Sequence, residues 1–294
     1  MIRCHKCGGR AIIRQRYSGM LLCRTHFEED VHRKVRETLR RTGIFARGAH
    51  VAIGLGGDMK SATLLHILKS LFLQRRDIEF TAIVIDEGIE GRRGLLKNAV
   101  SLSQRLEIPC IMKRLRDLPG IATAEIALKN SRQSDYSFCT AMERDLLRSA
   151  ALDVEADALA TGESLDDEAQ RILWNCLRGD IDGLLGVGRH NGCDACAGLA
   201  EIKPLRKVPE REIRLYSRMN DLVPADPASC SPFPEADASR IEVKRMLNDF
   251  DSRHPGTKYS LLQCIERVAK LHHRCDCACD ESPKRAKPLS EGIK

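Results

Sequence analysis

A three-layer α/β fold on a doubly wound parallel sheet is predicted by two patterns: short apolar strands alternate with amphipathic helices, and the strands end on glycine or aspartate. A third observation, thirteen cysteines in 294 residues with clusters at both ends, adds an N-terminal zinc module and a Cys-rich C-terminal tail. The first cluster is Cys4-His5-Lys6-Cys7, followed after fifteen residues by Cys23-Arg24-Thr25-His26. Each short turn presents two donors to one ion, and the spacer closes the second pair onto it, so Cys4, Cys7, Cys23 and His26 are expected to hold a structural zinc. Gly8-Gly9 supplies the knuckle turn. Residues 28–43 carry Val31, Val35 and Leu39 at four-residue intervals and read as an amphipathic helix ended by Gly43.

The core elements follow in order. His50 to Leu55 is a buried strand, Gly56-Gly57 a turn, and Ser61 to Gln74 a helix that buries Leu64, Leu65, Ile67, Leu68, Leu71 and Phe72. Phe80 to Ile85 is a strand that ends on Asp86-Glu87-Gly88, Leu95 to Leu106 a helix, and Ile108 to Met112 a third strand. Residues 139–152 read as helix, Ala158 to Thr161 as a strand entering Gly162, and Leu165 to Leu177 as another helix. Ligands of such sheets bind beyond the carboxyl ends of the strands, where Gly56-Gly57, Asp86 and Gly162 fall. A glycine pair between strand and helix lets backbone N–H groups approach a phosphate, although a plain tight turn uses the same residues.

Lys+Arg 48 against Asp+Glu 41 gives a formal charge of +7, compatible with an anionic partner. Arg33-Lys34, Arg40-Arg41, Lys113-Arg114 and Lys284-Arg285 suit phosphates or solvated helix faces equally. Met1-Ile2-Arg3 runs directly into the first metal motif and no apolar run approaches a bilayer span, so a cytoplasmic protein without a membrane segment is expected. There, clustered cysteines bind metal or sulfur more often than they form disulfides. Cys264, His272, His273, Cys275, Cys277 and Cys279 crowd into a second metal-binding tail. Cys193 and Cys196 have knuckle spacing within a Gly-rich stretch and are expected, with the Cys275, Cys277 and Cys279 tail, to form a second four-coordinate zinc site. Cys110 and Cys264 are expected as buried thiols and Trp174 as a core residue.

The segment Val51 to Leu65, with Gly56-Gly57-Asp58-Met59-Lys60-Ser61 at its centre, resembles the PP-loop of N-type ATP pyrophosphatases, usually Ser-Gly-Gly-Lys-Asp-Ser after a strand. The resemblance continues through Ile85-Asp86-Glu87-Gly88-Ile89, Ala160 to Gln170, Leu177 to Asp180, Ile202-Lys203-Pro204-Leu205-Arg206 and His254-Pro255-Gly256-Thr257-Lys258-Tyr259-Ser260. With Cys4, Cys7, Cys23 and His26, these stand in the order seen in TtuA-like tRNA 2-thiouridine synthetases, from residue 1 to about 270.

The resemblance implies a PP-loop domain over 45–215, a zinc module over 1–30, a linker helix over 31–44 and a helical region with the Cys/His tail over 216–294. It implies ATP and Mg held by Gly56, Gly57, Asp58, Lys60, Ser61, Asp86, Gly162, Asp166 and Asp167. Asp86 also suits a helix cap, and Asp166 and Asp167 suit a helix N-terminus electrostatically. The reaction implied is adenylation of a uridine C2 oxygen of tRNA, then sulfur transfer from a ubiquitin-like thiocarboxylate carrier or sulfide. A 4Fe-4S cluster on three cysteines accompanies it, and a homodimer is expected. Cys139 and Cys230 match two cluster positions, which makes them the candidate catalytic thiols.

Three places depart from the family pattern. The lysine position of the loop is Met59, a Gly-His-Asn is Gly162-Glu163-Ser164, and the third cluster cysteine is Tyr136, a hard phenol donor. Cys176, or Cys193 with Cys196, is the alternative source of a cluster ligand. The departures leave two further readings: a degenerate paralogue that binds tRNA or an active partner, and sulfur transfer without adenylation through Cys139 and Cys230.

Overall fold

The computed structural model describes residues 2–115, 135–188, 199–223 and 238–279. An antiparallel hairpin, β1 (Ile13–Arg14) and β2 (Leu21–Leu22), leads into α1 (Arg24–Arg40). The core then runs β3 (Ala49–Gly54), α2 (Met59–Phe72), β4 (Ile78–Asp86), α3 (Arg93–Arg105), β5 (Cys110–Arg114), α4 (Asp135–Asp153), β6 (Ala158–Ala160), α5 (Leu165–Arg178), α6 (Ile181–Gly188), β7 (Ala200–Ile202) and α7 (Glu210–Met219). Two long helices follow, α8 (Ala238–Arg253) and α9 (Thr257–Cys279).

Five strands form one parallel sheet, the class expected, in the order β5-β4-β3-β6-β7; the edge strand β7 is not among the four strands read from the sequence. In register, Ile53 faces Ala82 on one side and Ala160 on the other. The period of two divides β3 between two layers. Val51 and Ile53 pack with Leu64, Leu65, Ile67 and Leu68 of α2, whereas Ala52 joins Ile83, Leu159 and the α4 residues Ala150 and Ala151. Helices therefore cover both faces, which explains why the central strands read as unbroken apolar runs.

Helix α1 starts four residues earlier than the sequence pattern suggests, because the metal motif is its first turn: Cys23 stands at the N-cap and His26 inside the helix. It then crosses residue 30 without a break. Phe27, Val31, Val35 and Leu39 enter the same apolar cluster as α2 and as Ile213 and Tyr216 of α7. A buried polar knot reinforces that joint. Lys34 Nζ lies 2.6 Å from Glu212 Oε2 and 2.9 Å from Asp30 Oδ2, while Gln15 Nε2 donates to Asp30 at 2.7 Å and to Glu212 at 3.1 Å.

Three expectations are corrected. Cys110 is exposed, because β5 is the sheet edge and neither of its faces is fully covered. Cys264 is exposed, because α9 buries the stripe Leu262, Ile265 and Ala269, which leaves position 264 outside. Trp174 is half-buried at the margin of α5, with the guanidinium carbons of Arg178 and Arg240 at 5.4 and 5.7 Å from its ring. The third strand also begins two residues later, at Cys110, since Ile108 N–H still closes the preceding helix on Ser103 O.

Candidate functional site

The N-terminal ligand set is assembled. Gly8, with φ +71°, turns the chain so that Gly8 N–H donates to Cys4 O and Cys4 N–H to Gly9 O. The hairpin and the first turn of α1 then bring Cys23 and His26 alongside, and the four donor atoms lie within 4.8 Å of one another. Zinc bond lengths in tetrahedral geometry imply S···S edges of about 3.8 Å and S···N edges of about 3.6 Å. Cys7 Sγ to Cys23 Sγ is 3.7 Å and Cys4 Sγ to His26 Nδ1 is 3.6 Å, while Cys23 Sγ to His26 Nδ1 is shorter, at 3.2 Å; the donor chemistry and two of these three edges fit zinc. Burial opposes ionisation of Cys4. Backbone hydrogen bonds from Cys23, Lys6 and Cys7 outweigh it and bring the thiol down to about 6, which favours metal-ready thiolate. Beyond the ligands, His26 Nε2 faces Glu29 at 3.9 Å.

The second candidate centre lies at the carboxyl ends of β3, β4 and β6. Gly57 has φ +76°, and a Cβ there would stand 1.9 Å from Leu95 O, so only glycine lets α3 pack onto the loop. Gly162 brings the end of β6 against the first turn of α2, where a Cβ would lie 3.1 Å from Ser61 N. Asp58 is the N-cap of α2: its Oδ1 accepts from Ser61 N–H at 3.0 Å and from the Ser61 hydroxyl at 2.5 Å. Lys60 does not point into open space. Its ammonium donates to both oxygens of Asp167 at 2.7 Å, and Asp167 completes a capping box with Ser164 at the start of α5. Burial works against both charges, yet their mutual attraction dominates: Lys60 is held above the ordinary lysine range and Asp167 below the ordinary carboxylate range.

Other carboxylates surround the loop. Asp86 Oδ1 accepts from Gly88 N–H at 3.0 Å and stands 4.0 Å from Arg114. Asp166 pairs with Lys258 and accepts from Glu210 N–H at 2.7 Å, which ties α5 to α7 and α9 rather than to the loop. Glu163 stays ionised: burial opposes charge, but Lys203, Arg171 and the donating Thr161 hydroxyl prevail. A cavity of about 60 Å³ is lined by Gly56, Ile85, Asp86, Glu87, Arg92 and Glu143 among others. Arg92 is engaged with Glu87 at 2.6 Å. Burial, helped by the charges of Glu87 and Asp58 and opposed by Arg92, lifts the Glu143 carboxyl to about 7.

Sequence reasoning missed Glu143, Glu87 and Arg92. The available signal for Glu143 was its spacing: it follows Cys139 by four residues on α4, one helical turn along the same face. Backbone placement puts Cys139 on that helix, but its side chain is outside the description. Tyr136, Cys275, Cys277 and Cys279 also lie on helices with undescribed side chains, and Cys193, Cys196 and Cys230 lie outside the described residues. Among the described residues, the Cys4, Cys7, Cys23 and His26 group is the one cluster with metal-ligand spacing.

Residues 3–28 match the N-terminal LIM domain of the 2-thiouridine synthetase TtuA, and residues 27–226 match the PP-loop domain. The tRNA 2-thiolation protein NcsA of Haloferax volcanii is 35% identical over 288 residues, covering 93% of this chain and 88% of that protein. The chain belongs to the PP-loop family of tRNA 2-thiolation proteins. Other members of this thiolation family extend the match. The Caenorhabditis elegans cytoplasmic tRNA 2-thiolation protein 1 is 30% identical, covering 98% of this chain and 79% of that one. The structure of the U34-tRNA thiolase NcsA from Methanococcus maripaludis with its [4Fe-4S] cluster superposes with a TM-score of 0.79 at 31% identity, covering 92% of this chain and 88% of that chain.

Proposed function

We propose that this chain is a tRNA-directed sulfurtransferase that forms 2-thiouridine, acting in the cytoplasm. The observation that carries the proposal is the meeting of two elements. The β3–α2 loop, where the family holds nucleotide phosphates, shares a cavity with Glu143 of α4, and Cys139 stands one turn before Glu143 on that helix. This supports a reading in which activation and sulfur delivery meet at the carboxyl edge of one sheet.

In the reaction proposed, the uridine C2 oxygen attacks the α-phosphorus of ATP and pyrophosphate leaves. Hydrosulfide, from free sulfide or from a ubiquitin-like thiocarboxylate carrier, adds to C2, and the original oxygen departs with AMP. Lys60 is the nearest loop cation for the phosphates once it exchanges Asp167 for them, and Ser61 is the donor at the helix N-terminus. Asp86, at the end of β4, would hold a magnesium-bound water. Glu143, its carboxyl lifted to about 7 by burial, would take or return a proton. Zinc on Cys4, Cys7, Cys23 and His26 would stabilise the hairpin and take no part in the chemistry, since four protein ligands close its coordination. The donor set fits an iron-sulfur cluster less well. Cys139 and Cys230 would supply two thiolates, but Tyr136, a hard phenol donor, stands where the third is expected.

The decisive test is incubation of the anaerobically purified chain with tRNA, Mg-ATP and sulfide. Retardation of product in a mercury-containing gel, lost in Cys139→Ala, is the expected outcome; absence of ATP-dependent 2-thiouridine refutes the proposal. A second reading, a scaffold that binds tRNA or an active partner, draws on the mutual satisfaction of Asp58, Ser61, Lys60 and Asp167. Tight tRNA binding without thiolation would select it.

A further inference from the structure

The groups that should receive a phosphate at the β3–α2 loop are already engaged with one another. Both donors of Ser61, its N–H and its hydroxyl, are directed at Asp58 Oδ1, at 3.0 and 2.5 Å. A carboxylate oxygen at a helix N-terminus occupies the place that the helix field and orphan N–H groups offer to a phosphate oxygen. The neighbouring cation is withdrawn as well, since Lys60 is held by both oxygens of Asp167 at 2.7 Å. At the position where the family carries lysine, the thioether Met59 offers no charge. The neighbouring cavity beside Gly56, which none of Asp58, Lys60 and Ser61 lines, measures about 60 Å³, short of the 300 Å³ or more typical of a small-molecule site. Asp86, Glu87 and Glu143 line it together with Arg92 and Arg93.

We infer that Asp58 acts as an intramolecular stand-in for phosphate, a gate whose carboxylate closes the loop and sets the affinity of this chain for nucleotide phosphates. This rests on the reading of the β3–α2 loop as the phosphate seat. Phosphate enters when the Asp58 side chain rotates away and releases Ser61, and Lys60 follows by exchanging Asp167 for the incoming anion. Asp58 is therefore a specificity-determining residue: it disfavours small anions that cannot displace it and admits those with enough additional contacts.

The inference differs measurably from the plain role of a helix cap. Asn and Ser cap a helix about as well as Asp but carry no charge. The test is calorimetric titration of the full chain with inorganic pyrophosphate, at fixed ionic strength, for wild type, Asp58→Asn and Asp58→Ser, with thermal unfolding confirming that all three are equally folded. Both variants are expected to bind pyrophosphate at least tenfold more tightly than wild type, with Mg-ATP following the same order. Equal affinity in all three reduces Asp58 to a cap and overturns the inference while leaving the thiolation reading untouched. A gain in binding by the variants, together with no thiolation by any of them, overturns the functional reading and leaves the gate standing.

Discussion

Replacing Lys34 by methionine should be among the most damaging single changes available away from the candidate site. Lys34 is 5% exposed and its ammonium reaches Glu212 at 2.6 Å, Asp30 at 2.9 Å and the Tyr17 hydroxyl at 2.5 Å. Methionine keeps most of the aliphatic stem and so preserves packing. What disappears is the buried cation between two carboxylates that are themselves 3% and 8% exposed. Breaking a buried pair from one side costs about 3–5 kcal/mol, because the remaining charge is left without compensation. Arg33 still donates to Asp30 at 2.7 Å, and Gln15 and Tyr17 still donate to Glu212, which places the expected loss near the lower end, about 3 kcal/mol. Urea unfolding followed by circular dichroism measures it. The double variant Lys34→Met with Glu212→Gln should recover about 1 kcal/mol or more, since the orphaned charge is gone. A loss below about 1 kcal/mol for the single variant, or no recovery in the double, would refute the reasoning. The same knot predicts an acid dependence. Burial pushes the Asp30 carboxyl up, but Lys34, Arg33 and Gln15 overcome it and hold it at about 2. Its folded pKa lies below the unfolded one, so its contribution is complete above about pH 4 and is lost as pH falls towards 2. Lys34→Met should shift that loss to higher pH.

Three further outcomes are expected. Cys7→Ser should release one zinc per chain, measured by atomic absorption, and loosen the β1–β2 hairpin while the sheet persists; unchanged zinc content would dismiss the ligand set. Glu143→Gln should stabilise the protein at pH 8 by roughly 1 kcal/mol or more, one pKa unit being about 1.4 kcal/mol. The sign follows from a folded pKa of about 7 above the ordinary carboxyl value of 4.5: the native state holds a proton that the unfolded state has released, so wild-type stability falls as pH rises between them and the variant's curve is flatter. Equal slopes in the two unfolding profiles would contradict it. Tyr136→Cys should raise iron and sulfide content after anaerobic reconstitution, and adding Cys139→Ala should abolish the gain; retention of the cluster spectrum in the double variant would place its ligands elsewhere.

What could be read from the chain alone was whatever depends on local spacing. The parallel sheet followed from apolar runs bounded by Gly56-Gly57, Asp86 and Gly162, because buried strands and amphipathic helices differ in period. The clustering of Cys4, Cys7, Cys23 and His26 followed from two two-residue spacers, because a tetrahedral site needs paired donors from short turns. The long-range pairings were not legible. Nothing local distinguishes Lys60 facing a phosphate from Lys60 bound to Asp167, 107 residues away. Nor does spacing reveal that Lys34 and Glu212, 178 residues apart, share one buried knot. The exposure of Cys110 and Cys264 likewise depended on which strand became the edge and which face of α9 met the core. Local periodicity determines which elements form. The partner of a charged side chain is decided only when the elements pack, because the low dielectric of the assembled interior then selects among ionic partners that water would leave nearly equivalent.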